Sequence, residues 1–160
     1  EIPKRDWSSD VCSSDLAVPK DEIAKAAKRC DTGTLTAIAT AAERVRDYHQ
    51  RQKPRDELYT DPAGIQLGWR WTPLASAGLY VPGGTAALFS SVLMNAIPAK
   101  VAGVERLVVA MPAPEGRMNP LMLAACAVAG VDEVYRVGGA QAIAALAYGT
   151  SSIKIGRAHV

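Results

Sequence analysis

The sequence predicts an α/β fold with a parallel sheet. Strand-like and helix-like runs alternate between residues 90 and 149. A short pattern also recurs 27 residues later, as Ala-Gly-Val-Glu at 102–105 and Ala-Gly-Val-Asp at 129–132, each time directly before a strand-like run. Alternation of helix and strand at this spacing is typical of a parallel sheet with right-handed crossovers. The pattern therefore indicates a Rossmann-like layer.

Within this layer the repeat predicts strands at residues 106–111 and 134–137. Gly103 and Gly130 can each take the left-handed conformation that ends the preceding helix. A further helix is predicted over residues 140–148, where a glycine follows the last apolar position.

Two more helix starts can be read from capping residues. Ser90 or Ser91 is predicted to cap one helix, and Asn119 with Pro120 at the first helical position opens the next. Pro98 lies within the first of these helices, so we expect a kink or an early end there, because proline lacks the N–H that a helix interior needs.

Residues 17–53 predict an N-terminal helical arm of two helices. Acidic residues 21–22 suit a first turn, basic residues 28–29 suit a last turn, and residues 31–33 interrupt the pattern. The second helix is predicted from Thr34 to Gln52.

The second helix of the arm carries a narrow apolar seam at spacings of three and four residues, which suits one partner helix. Its members are Leu35, Ile38, Ala42, Val45 and His49. No second histidine or cysteine lies near His49, so a packing role is favoured over metal ligation.

Residues 54–64 form a polar linker in this interpretation, and residues 54–154 form the Rossmann-like domain. Apolar residues then alternate from Ile65 to Trp71, as in a half-buried strand, and another strand is predicted over residues 77–81. Trp69 and Trp71 are interpreted as core or interface anchors, because no basic groove accompanies them.

Composition excludes several classes of protein. The formal charge is +2 without a basic run, so nucleic acid is not an expected partner. No apolar stretch reaches the roughly 20 residues of a membrane span, so no membrane partner is expected. The three cysteines form no CxxC pair, which favours a reduced cytoplasmic compartment.

The two ends of the chain do not look native. Residues 10–16 can be encoded by GACGTGTGCTCTTCCGATCT, and the reverse complement of that string encodes residues 155–160. The string resembles a sequencing-library adapter. We therefore expect residues 1–16 and 155–160 to be non-native, which removes Trp7, Cys12 and His159 as functional candidates. The alternative is a serine-rich and a basic native tail.

Two glycine-rich turns after strands could hold a phosphate, since backbone N–H groups can approach a ligand there. The first spans residues 78–85, but Gly84 stands where a P-loop requires lysine. The second spans residues 137–141, with Gln141 in the first turn of a helix. Plain tight-turn packing is the alternative for both.

Other candidates have simpler explanations. Cys126 lies on an alanine-rich helix without a histidine to activate it, so a buried packing role is favoured. Asp132 and Glu133 are adjacent and would point to opposite faces of a strand, so they cannot form a catalytic carboxylate pair. Residues 112–120 form a turn-rich loop that could border a ligand cleft.

Several motifs together resemble histidinol dehydrogenases. They are Gly-Leu-Tyr-Val-Pro-Gly-Gly-Thr at 78–85, Ser-Val-Leu-Met-Asn-Ala-Ile-Pro-Ala-Lys at 91–100 and Val-Gly-Gly-Ala-Gln at 137–141. The likeness covers residues 17–153. It implies two incomplete Rossmann-like domains with helical arms, oxidation of L-histidinol through an aldehyde to L-histidine with two NAD, zinc, and a cytoplasmic homodimer.

The resemblance also implies functional positions. Tyr80 and Gln141 match positions that contact NAD in the family. The family's third NAD contact, an asparagine in Gly-Pro-Gly-Asn, is absent from this chain, as are the family's zinc ligands and its Glu-His pair. We therefore expect the chain alone to be inactive. The alternative is a stand-alone nucleotide-binding or scaffolding module without catalysis.

Overall fold

The computed structural model describes residues 16–82 and 87–155. In chain order its elements are α1 (Lys20–Ala26), α2 (Thr32–Gln52), β1 (Glu57–Thr60), β2 (Gln66–Trp69), β3 (Ser76–Tyr80), α3 (Phe89–Ala102), β4 (Arg106–Met111), α4 (Pro120–Ala129), β5 (Glu133–Arg136) and α5 (Gly139–Tyr148). Short 3-10 helices lie at Ala27–Arg29 and Pro114–Gly116.

The parallel sheet contains β3, β4 and β5 in that order, as the alternating pattern predicts. Gly78 pairs with Val108 across the first two strands, and Ala110 pairs with Tyr135 across the next two. The predicted bounds of β4 are confirmed, while β5 is shifted by one residue towards the N-terminus.

Both faces of β4 are covered, because successive side chains of a strand point to opposite sides. Leu107, Val109 and Met111 pack into the core that α3 and α4 line. Val108 points to the other face and joins a second core with Tyr135, beside the side chains of α5. The sequence therefore places two helices on one face and α5 on the other.

The predicted helix ends at the repeats are confirmed. Gly103 ends α3 with φ +99° and Gly130 ends α4 with φ +75°, both left-handed. Asn119 caps α4, and its Oδ1 accepts a hydrogen bond from the N–H of Leu121 at 2.9 Å, with Pro120 at the first helical position. These signals are local, so the sequence alone specifies them.

The predicted cap of α3 is wrong, and the early end that was one of the two expectations at Pro98 does not occur. The helix begins at Phe89, after Leu88, so Ser90 and Ser91 lie inside its first turn and do not cap it. It also continues through Pro98 to Ala102 without an early end. Apolar residues of α3 on both sides of Pro98 are buried, and this packing offsets the hydrogen bond that proline cannot make.

The helices of the arm pack on the layer. Asp31 caps α2, and its side chain accepts a hydrogen bond from the N–H of Thr34 at 2.8 Å. The helix therefore begins at Thr32, two residues before the predicted start. Ile38 and Ala42 of the predicted seam are fully buried against α3 and α4. None of the helices in the described ranges has the length and apolar character that would cross a membrane.

Residues 16–18 pair with the outer edge of β5 in the antiparallel direction. The N–H of Val18 donates to the carbonyl of Val134 at 2.8 Å, and the N–H of Arg136 donates to the carbonyl of Leu16 at 2.7 Å. This pairing satisfies backbone groups that an open sheet edge would leave exposed.

The predicted linker and half-buried strand are wrong in two respects. β1 lies within the predicted linker and pairs with β2 in an antiparallel hairpin. Every residue of both strands is exposed. Trp69 and Trp71 are 49% and 60% exposed, so neither is a core anchor. Cross-strand hydrogen bonds hold this hairpin together, and the linker sequence gives no apolar pattern that could reveal them.

Candidate functional site

The two predicted site residues lie at the same edge of the parallel sheet. Tyr80 is the last residue of β3, and Gln141 lies in the first turn of α5, which directly follows β5. Tyr80 is half-buried and Gln141 is exposed. In open parallel sheets, ligands bind outside this carboxyl edge.

A hydrogen bond joins the ends of the two segments. The backbone N–H of Gly139 donates to the hydroxyl oxygen of Tyr80 at 3.3 Å. β4 lies between β3 and β5, so this contact spans the carboxyl end of the central strand. The structure therefore brings Tyr80 to the turn that carries Gln141.

The turn itself depends on glycine. Gly138 precedes α5, which begins without a side-chain cap. A Cβ atom at Gly138 would lie 2.5 Å from Cγ of Pro112, at the end of β4. Gly139 has φ +73°, and a Cβ atom there would lie 2.7 Å from Oε1 of Gln141. The uncapped N-terminus of a helix beside a tight glycine turn suits an anionic or polar ligand.

The sequence did not reveal that Pro112 packs against Gly138 or that the side chain of Gln141 lies against Gly139. Pro112 begins the predicted cleft-bordering loop, and its ring contacts Gly138. The double glycine after a strand was the available signal for the turn, but it does not reveal which neighbour requires each glycine.

The first predicted phosphate-binding turn is only partly described. Gly83, Gly84 and Thr85 lie outside the described residues. Gly78, by contrast, lies inside β3 and faces α5, where a Cβ atom would be 2.9 Å from Cδ2 of Leu146. Its position supports close packing of the helix on the sheet, so the predicted ligand-approach role does not apply to Gly78.

A sequence model of the family described as histidinol dehydrogenase matches residues 4–157. The chain belongs to the histidinol dehydrogenase family. Proteins of this family are oxidoreductases that act in histidine biosynthesis.

Individual histidinol dehydrogenases are similar to this chain over most of its length. The protein of Bradyrhizobium diazoefficiens is 61% identical over 141 residues, which cover 88% of this chain and 33% of that protein. The protein of Mesorhizobium japonicum is 56% identical over 146 residues, which cover 91% of this chain and 34% of that protein. The chain thus spans about a third of the length of the curated relatives it matches.

A solved structure agrees with the fold. The crystal structure of histidinol dehydrogenase from Elizabethkingia anophelis superposes with a TM-score of 0.83 at 34% identity, over 88% of this chain and 33% of that one. The α/β fold is therefore shared with a histidinol dehydrogenase of known structure.

Asp132 and Glu133 have structural partners at the opposite edge of the sheet. Asp132 accepts hydrogen bonds from Lys100 Nζ and from the N–H of Leu107, both at 2.7 Å. Burial alone would raise the pKa of Asp132, but these bonds outweigh it and the pKa is lowered. Glu133 pairs with Arg106. The two neighbouring carboxylates thus have different basic partners.

The remaining titratable candidates are also structural. Cys126 is completely buried, and burial raises the pKa of its thiol to about 12, which confirms the packing interpretation. His49 is half-buried on α2 and contacts the ring of Tyr48 edge-on. Within residues 16–82 and 87–155, His, Cys, Asp and Glu form no group of three that could hold a metal ion.

Proposed function

We propose that this chain forms the NAD-holding part of a histidinol dehydrogenase. The complete reaction of such an enzyme oxidises L-histidinol through an aldehyde to L-histidine and consumes two NAD. The observation that carries this proposal is the meeting of Tyr80 with the turn of Gln141 at the carboxyl edge of the sheet. Family membership supplies the reaction class.

The groups at this edge suit a dinucleotide. The N-terminus of α5 presents backbone N–H groups and a partial positive charge, which favour phosphate oxygens. The hydroxyl of Tyr80 and the carboxamide of Gln141 can each donate and accept hydrogen bonds, which suits ribose hydroxyls or an amide. NAD, when bound, accepts the hydride that leaves the substrate. The chain's own residues bind and orient it.

The zinc of the family does not fit the described residues, because they bring no three metal-ligating side chains together. We therefore derive no step through zinc in this chain. The resemblance implies zinc ligands and a Glu-His pair at positions that this chain does not match, so we infer that the 160-residue chain alone does not produce NADH. Dimerisation and a cytoplasmic location, which the resemblance implies, belong to the same proposal.

Calorimetry of the purified chain with NAD tests the binding site. We expect weak binding that Tyr80→Phe and Gln141→Ala each reduce by about fivefold, the typical effect of one lost hydrogen bond. Tyr59→Phe and Gln66→Ala on the hairpin are matched controls and should bind as the wild type does. Absence of heat with millimolar NAD would overturn the proposal.

Turnover is tested separately. The purified chain is mixed with zinc, NAD and L-histidinol, and absorbance of NADH is followed. No signal above a blank is expected. NADH formation by the chain alone would contradict the inactivity that we infer while leaving the NAD site intact.

One observation favours the alternative of an association module without catalysis. The hairpin exposes large apolar side chains on both strands, and contiguous apolar patches often mark interaction surfaces. A chain that self-associates in sedimentation experiments but gives no heat with NAD would support this alternative.

A further inference from the structure

Two glycine contacts fix the turn between β5 and α5. Pro112 leaves no room for a Cβ atom at Gly138, which would approach ring atoms Cγ and Cβ to 2.5 and 2.9 Å. At Gly139, a Cβ atom would lie 2.7 Å from Oε1 and 3.1 Å from Nε2 of Gln141. Contacts under 3.0 Å require displacement of a neighbour, so the carboxamide of Gln141 occupies space that only glycine leaves open.

The same turn is held by the ends of the other two strands of the parallel sheet. Tyr80, at the end of β3, accepts the hydrogen bond from the N–H of Gly139. Pro112 follows β4 directly and packs on Gly138. Gly139 also has a left-handed backbone, which residues other than glycine adopt only with strain.

We propose that Pro112 and Gly139 are positioning residues of the cofactor site, an inference that rests on the proposed NAD binding. Pro112 fixes Gly138 and thereby the start of α5. Gly139 leaves open the space that the carboxamide of Gln141 occupies beside the helix N-terminus. Both residues act through the placement of Gln141, and neither needs to touch NAD.

A double-mutant cycle tests this action. NAD affinity is measured by calorimetry for Gly139→Ala, for Gln141→Ala and for the double variant. Each single change should lower the affinity about fivefold. In the Gly139→Ala background, Gln141→Ala should lower it by less than about twofold, because the carboxamide is already displaced. If the two losses multiply, the residues act independently and the inference is wrong.

Gly64→Ala controls for general destabilisation of the fold by a strained glycine substitution. Gly64 has φ +86° and nothing within 4 Å of its Cβ position, so the substitution carries the left-handed strain without a steric clash. It should bind NAD within about twofold of the wild type. An equal loss of affinity in Gly64→Ala and Gly139→Ala would show that reduced overall stability explains the effect and would overturn the inference.

Pro112→Ala provides a second test of the inference if Gly139→Ala does not fold. It removes ring atoms and therefore introduces no steric clash. Its matched control is Pro73→Ala, whose ring lies 3.3 Å from the Cβ position of Gly103 at the opposite edge of the sheet. We expect Pro112→Ala to lower NAD affinity and Pro73→Ala to leave it unchanged. In the Pro112→Ala background, Gln141→Ala should cause no further loss of affinity. Failure of the wild type to bind NAD overturns both proposals. If Pro112→Ala binds NAD and Gln141→Ala still lowers its affinity about fivefold, only the inference about positioning is overturned.

Discussion

Arg106 and Glu133 form a two-bond ion pair across the amino edge of the parallel sheet. Arg106 Nε donates to Oε1 of Glu133 at 2.7 Å, and Nη2 donates to Oε2 at 3.0 Å. The hydroxyl of Tyr135 donates to the same carboxylate at 2.8 Å. Corresponding positions of the two repeats are thus joined directly, which ties β4 to β5 at the edge opposite the candidate site.

This pair predicts a pH dependence of stability. Hydrogen bonds from Arg106 hold the pKa of Glu133 below its ordinary value of 4.5. A carboxylate whose pKa is lower in the folded state stabilises the fold at pH values above its ordinary pKa. This stabilisation disappears as the pH falls through the folded-state pKa. The melting temperature of the wild type should therefore fall more steeply below pH 4.5 than that of Glu133→Gln. Parallel curves would contradict the prediction.

Gly78→Ala should destabilise the fold. The new Cβ atom would meet Leu146 Cδ2 at 2.9 Å and Ile155 Cδ1 at 3.1 Å, so α5 must move away from β3. We expect a loss of about 1–3 kcal/mol in the free energy of unfolding, measured with urea. In a Leu146→Ala background, which removes the methyl groups that clash, the same change should cost clearly less. An equal cost in both backgrounds would exclude the contact as the cause.

Cys126 should resist alkylation in the folded chain. Its thiol is completely buried and its pKa is raised to about 12, so almost no thiolate exists at pH 8. Cys30 is half-buried and serves as the internal comparison. Peptide mass spectrometry after iodoacetamide treatment should find Cys30 modified first, and both modified in urea. Equal rates without urea would show that the helix opens readily.

Leu58→Lys should leave the stability nearly unchanged and reduce self-association. Leu58 is 73% exposed on β1, so its replacement removes apolar surface without opening a cavity. The matched buried change, Leu123→Ala, should cost about 2–5 kcal/mol. Urea unfolding measures stability and sedimentation velocity measures association. A large loss of stability in Leu58→Lys would show that the hairpin packs against other residues in solution.

Elements with local signals could be predicted from the sequence. The range of β4 follows from the apolar run at residues 107–111, which lies between a left-handed glycine and a proline. The ends of α3 and α4 at Gly103 and Gly130, and the cap at Asn119, follow from residue types that favour one backbone conformation. Failures occurred where packing overrides local preference, as at Pro98, or where cross-strand bonds form without an apolar pattern, as in β1.

The candidate site shows the same division. The sequence alone indicated that a turn around Gly138 and Gly139 follows a strand, and the resemblance pointed to Tyr80 and Gln141. Only the tertiary structure decided that Tyr80 meets Gly139, and that Gly78 serves packing against α5. Local backbone preferences are properties of neighbouring residues in the chain. Contacts between distant segments depend on strand order and helix placement, which arise when the whole sheet assembles.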